Sequence, residues 1–201
     1  MNLRKLTILA FFASLLISCS GDDEPAPGLQ GGDYLPIATG NRWEYGGAIG
    51  YTVEFTGNTQ NFNGRVYAEA ETSSFGDTTL SYISVENGIY TSLGFLPTAD
   101  EVEFIILKDN VPEGTTWEER IEVSGIATVY KFSIGDKGIS HTVEGEVFND
   151  VIRVRMETFI EAFGVNQLVA GQDIYFARDI GIIQTDLGPV GSSDLIDFTI
   201  N

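Results

Sequence analysis

Beyond Tyr51 the chain alternates apolar and polar residues with a period of two. In RVYAEAET, Val66, Ala68 and Ala70 share one face of an extended segment, and Tyr67, Glu69 and Glu71 share the other. YTVEF, LSYISV, EVEFII, ATVYKFSI, HTVEGEVF and VIRVRME repeat the period or run as short apolar stretches. TGN, NFNG, FGD, ENG, KDN, GDKG and FND separate them. Gly, Asn and Asp in such clusters accept the left-handed backbone that tight turns need. No long window carries a helical stripe. METFIEAFG (Met156–Gly164) comes nearest and reads as strand followed by turn. Short consecutive strands with tight connections predict an all-β fold, a single antiparallel meander forming a strongly curved sheet, half-barrel or barrel.

A weak internal repeat lies over this pattern. GNRWEY (Gly40–Tyr45) is echoed by GTTWEE (Gly114–Glu119), placing Trp43 and Trp117 74 residues apart. NGRVYAEAET parallels EGEVFNDVIRVRMET, and NGIYTS parallels GQDIYFA, with spacings that drift to 81 and 85 residues. A duplication with loop insertions accounts for the drift, and so does coincidence among β-rich segments. Duplication would give two similar sets of strands joined near Lys108–Gly114.

The first residues break the pattern. Arg4 and Lys5 precede an apolar run from Leu6 to Ile17, too short for a bilayer core of ~30 Å at ~1.5 Å per helical residue. A basic start, a short apolar middle and a small residue before a cut describe a secretory signal peptide over residues 1–18. Leu16-Ile17-Ser18-Cys19 resembles a bacterial lipobox, which implies cleavage before Cys19 and acylation of its thiol. Two or more acyl chains anchor stably where one does not. Cys19 is the only cysteine, so no internal disulfide competes for it. Ser20, Gly21, Asp22, Asp23 and Glu24 resemble the acidic export tag of surface lipoproteins in the Bacteroidota; a solvated acidic linker has the same composition. PAPGLQGGD completes a flexible tether, so residues 19–33 read as anchor and tether and 34–201 as a single β domain.

Charge narrows the partners. Cleavage removes Arg4 and Lys5 and no acid, taking the net charge from −18 to −20. Such a surface repels nucleic acid and anionic headgroups, leaving membrane attachment to the acylated Cys19.

YLPIATGNRWEY, VPEGTTWEE and IYFARDIGIIQTDLG together resemble a group of bacterial lipoproteins with a G-x-x-W-x-Y opening and a Y-F-A-x-x-x-G-I/V ending. The resemblance spans most of the mature chain and implies an all-β secreted domain without a known activity. The second Trp motif departs from it at Glu119, where the first has Tyr45. Trp43 and Trp117 are either core residues closing a sheet end or aromatic platforms for a sugar ring or an apolar ligand.

Catalytic parts are scarce. His141 is the only histidine, placed in KGISHTVEGE at a turn-to-strand transition, and no G-x-S-x-G elbow accompanies it. Zinc-ligand sets, phosphate-cradling glycine motifs and D-x-[DN]-x-[DN]-G calcium loops do not occur, so no metal or cofactor is expected. The i,i+2 pairs Glu69/Glu71, Glu101/Glu103 and Glu144/Glu146 each share a strand face. Glycosidases use two carboxyls ~5–9.5 Å apart, yet acids alternating with apolar residues also describe the wet face of a half-buried sheet. The expectation is a tethered, non-enzymatic surface module at the outer membrane, binding a small apolar or glycan ligand or a cell-envelope protein. The alternative is a carbohydrate hydrolase using a carboxylate pair.

Overall fold

The computed structural model describes residues 32–95, 101–123, 126–162 and 165–201. Cys19 and the stretch Ser20, Gly21, Asp22, Asp23 and Glu24 lie outside the described residues. The strands in chain order are β1 (Arg42–Gly47), β2 (Tyr51–Phe62), β3 (Arg65–Ser74), β4 (Asp77–Glu86), β5 (Ile89–Phe95) and β6 (Glu101–Lys108), then β7 (Thr116–Val123), β8 (Ile126–Val143), β9 (Glu146–Ala162), β10 (Val165–Ala177), β11 (Gly181–Asp186) and β12 (Ser192–Thr199). They form one sheet in the order β6-β5-β4-β3-β2-β1-β12-β11-β10-β9-β8-β7. Every strand pairs antiparallel with its chain neighbour except β6 with β7, and β1 pairs with β12. The fold is therefore the expected meander, nearly closed into a barrel with β6 and β7 as its two edges.

Local chemistry sets the hairpins. Asn63-Gly64, Phe75-Gly76, Asn87-Gly88 and Glu144-Gly145 each form a two-residue connection with positive φ at both positions. That geometry matches the right-handed twist of the flanking strands. It also corrects the reading of HTVEGEVF as one strand: Glu144-Gly145 divides it between β8 and β9. Conversely, GDKG and FND lie inside strands. GDKG falls where the β8–β9 register shifts, and FND puts Asp150 of β9 at φ 52°. Thr56-Gly57-Asn58 likewise sits inside β2, at a register shift between Phe55 and Thr59. Residues with turn chemistry also make bulges, and bulges bend long strands enough to close a sheet. METFIEAFG continues as strand through Ala162, and the expected turn falls on Phe163 and Gly164, outside the described residues.

One sheet face turns inward. Trp43 and Tyr45 of β1, Phe55 of β2, Ala68 and Ala70 of β3, and Ile83 and Val85 of β4 join one continuous core with Phe132, Ile134, Val154 and Phe176 from the other side. The segment after Gly32 packs at one end of the barrel. The Tyr34 N–H donates to Tyr90 Oη at 3.1 Å, and Tyr34 Oη donates to Asp150 Oδ1 at 2.9 Å. Arg178 pairs with both Asp33 and Asp150, and its guanidinium lies 4.7 Å from the Tyr34 ring centre. A Cβ at Gly32 would come within 2.3 Å of Tyr90 Oη, so the approach requires glycine. Arg178 and Tyr34 hold the Asp150 carboxyl below its usual range. Asp33, expected in the tether, is thus tied to the barrel.

The connection after Lys108 divides six strands from six. Trp43 opens the first strand of one half and Trp117 the first strand of the other. NGRVYAEAET and EGEVFNDVIRVRMET fall on β3 and β9, the third strand of each half. NGIYTS, by contrast, enters β5 and GQDIYFA lies on β10, so that match is out of step by one strand.

Candidate functional site

Both tryptophans are core residues. Trp43 is 1 % exposed, packs edge-on against Phe55, and donates its indole N–H to Ile180 O at 2.6 Å. Gly181 permits that approach, since a Cβ there would lie 3.2 Å from Trp43 Nε1. Trp117 stacks on Phe132, carries the Lys108 ammonium over its ring, and donates to Ile105 O at 2.7 Å. With these contacts filled, neither indole offers a platform to a ligand.

The carboxylate pairs come apart. Glu69 is buried and accepts from Asn58 and Thr56, each at 2.9 Å, with Tyr82 at 3.4 Å; these bonds lower its pKa. A carboxyl held ionised is a poor general acid. Glu71 is exposed, and Glu103 accepts from Tyr67 and Arg65. Glu144 lies in the hairpin turn while Glu146 opens β9, so they do not share a strand face. Among the described residues, the carboxyl raised mainly by burial is Glu119, on edge strand β7. His141 lies within β8; its ring stacks 3.9 Å from Tyr175, and Nε2 is 2.8 Å from Gln184 Oε1.

The polar-reading face of β3, β4 and β5 holds a second cluster. Tyr67, Tyr82 and Leu93 are buried there with Phe62 against them. Burial and the Glu103 carboxylate push the Tyr67 hydroxyl up to about 12. Beside the cluster a cleft of about 90 Å³ opens between Arg65, Ser84, Glu86, Asn87, Ile89 and Thr91. Strand register builds it: Ser84 lies directly opposite Thr91 and Glu86 opposite Ile89, so the period of two brings all four to one face. Arg65 reaches over from β3, with Nη1 3.5 Å from Thr91 Oγ1 and Nε 3.6 Å from Glu86 Oε2. The Asn87-Gly88 turn is itself pinned, as Asn110 donates to Asn87 O at 2.6 Å and Asp109 N to Gly88 O at 2.9 Å.

One atom of a lining residue is anomalous. Ser84 is 1 % exposed and its hydroxyl has no hydrogen-bond partner among the described residues. Such a group costs roughly 1–3 kcal/mol, and native structures contain few of them. In the sequence, LSYISV reads only as a strand. The available signal was the hydroxyl and carboxyl of Ser84 and Glu86, alternating with Ile83 and Val85 and facing Thr91 across an Asn-Gly turn.

Among the described residues no cluster of three or more His, Cys, Asp or Glu side chains is arranged to hold a metal, and no helix is long and apolar enough to cross a membrane. No family model, curated protein or solved structure matches the chain at a significant level.

Proposed function

We propose that this chain is a lipoprotein of the outer membrane, anchored through acylated Cys19 and displayed at the cell surface, whose β-barrel binds a ligand without transforming it. The observation that carries the binding reading is the unpartnered, buried Ser84 hydroxyl in a cleft of polar side chains held rigid by a pinned hairpin. A hydroxyl desolvated at a cost and placed beside further donors and acceptors is arranged to receive a partner from outside the fold. The carboxylates favour binding over hydrolysis, because Glu69 and Glu103 already accept from neighbouring side chains. The anchor rests on the sequence around Cys19.

Cell fractionation tests the anchor. The wild-type chain is expected in the outer-membrane fraction and open to protease on intact cells, with Cys19→Ala releasing the protein. A Cys19→Ala protein that stays in the membrane would refute the lipoprotein reading. Native mass spectrometry of the detergent-released full chain tests binding, and the expected result is a stoichiometric bound species that unfolding sets free.

A further inference from the structure

The chemistry of the cleft defines its occupant more closely, on the premise that the module binds a ligand there. Glu86 offers acceptors only, Arg65 offers donors only, and Asn87, Ser84 and Thr91 each offer both. Charge restricts the choice further. Arg65 already pairs with Glu86 at 3.6 Å and with Glu103 at 3.3 Å, and the whole chain carries −18. An anion therefore meets two carboxylates and a repelling field, while a cation meets the guanidinium. A neutral ligand that donates and accepts from adjacent atoms meets neither penalty.

We infer that the cleft takes a neutral polyol, the edge of a sugar ring presenting two neighbouring hydroxyls. One hydroxyl bridges Arg65 and Glu86, which stand as donor and acceptor side by side. The second partners Ser84 Oγ, the lining atom left without a bond. Ile89, opposite Glu86, supplies an apolar contact for ring C–H groups. A volume of about 90 Å³ admits one edge of a single ring, so the rest of a glycan would extend into solvent. The backbone of the site is set before a ligand arrives, since both cross-strand pairs and the turn between them are formed, and only the side chains that close Ser84 Oγ off from solvent have to give way for the second hydroxyl.

The test is saturation-transfer NMR and calorimetry on the full chain in detergent micelles. The probes are methyl glycosides differing in the orientation of their ring hydroxyls, with inorganic phosphate and tetramethylammonium as charged controls. At least one glycoside is expected to bind saturably and the charged probes not to bind. Ser84→Ala removes an unbonded hydroxyl and should keep or raise the melting temperature while weakening the glycoside about five- to tenfold. Glu86→Gln, at an exposed position, should weaken it as well. Glycoside binding that neither substitution changes would overturn this site. Phosphate or tetramethylammonium binding that Ser84→Ala abolishes, with glycosides inert, would overturn the polyol and leave the binding module standing. Failure of every probe, with no co-purified species and a higher melting temperature in Ser84→Ala, would overturn both, the hydroxyl then being a buried polar group that only costs stability.

Discussion

Phe75 sits at the tip of the β3–β4 hairpin with φ 53° and its ring 90 % exposed. An L-residue there bears the crowding between Cβ and the following carbonyl, and an exposed ring recovers little by packing. Asn suits this position of a two-residue hairpin. Phe75→Asn should therefore stabilise the protein by about 1 kcal/mol and raise the melting temperature by about 2–4 °C. An unchanged or lower temperature in thermal denaturation would show that the ring makes a compensating contact. Ser84 is the converse case, since a buried β4 position would pack well with Val and carries a hydroxyl instead. Neither residue stood out in the sequence. Phe75 reads there as one more apolar residue before Gly76, and Ser84 as one more polar residue in an alternating strand. Their energetic standing comes from φ and from missing partners, which depend on neighbours distant in the chain.

At the scale of elements, the seam between β6 and β7 is what keeps the barrel from full closure. Side chains span it in place of a backbone ladder: Trp117 donates to Ile105 O at 2.7 Å, Lys108 lies over the Trp117 ring, and Phe104 meets Tyr130 edge-on at 5.1 Å. Trp117→Phe keeps an aromatic ring against Phe132 and leaves the Ile105 carbonyl without its donor. The expected cost is about 1–3 kcal/mol, a fall of about 2–12 °C in melting temperature. Hydrogen exchange should quicken in β6 and β7 and stay slow in β1 and β12, which are joined by a ladder. Acceleration spread evenly over all twelve strands would show that the indole supports the core and not the seam. Element existence was legible because period-two alternation reports a sheet with one covered face. Boundaries were less so, as Gly and Asp clusters serve turns in one place and bulges in another, and only pairing with the partner strand tells them apart.

At the scale of the whole molecule, the fold holds a set of its tyrosines protonated. Burial pushes Tyr51 up to about 12, and burial together with a neighbouring carboxylate does the same for Tyr34 and Tyr67. Tyr45 and Tyr90 are raised as well, again chiefly by burial. An unfolded tyrosine ionises near pH ~10. Between that value and the folded ones the native state holds more protons than the unfolded state, so stability falls as pH rises. It is fully present below about pH 10 and is lost through the folded values. Ionisation of Tyr34, Tyr51 and Tyr67 and loss of the β-sheet circular dichroism signal should occur together in one alkaline transition. Ionisation of Tyr34, Tyr51 and Tyr67, followed through their ring carbons by NMR, near pH ~10 in a protein that keeps its native dichroism would contradict this burial.

The sequence by itself determined the class of fold, the likeness of its first residues to a lipoprotein leader, and the hairpins at Asn63-Gly64 and Asn87-Gly88. Each rests on local physics: side-chain period, an apolar run of limited length, and residues that accept positive φ. Tertiary structure alone decided that the supposedly wet face of β3, β4 and β5 is partly buried, that Tyr34 and Arg178 fasten the chain's early segment to β5 and β9, and that Ser84 faces a cleft unpartnered. Those outcomes depend on which strands meet across the sheet, and pairs such as Tyr34 with Asp150 are 116 residues apart. Alternation gives each strand two faces, and only closure of the sheet chooses what covers each one.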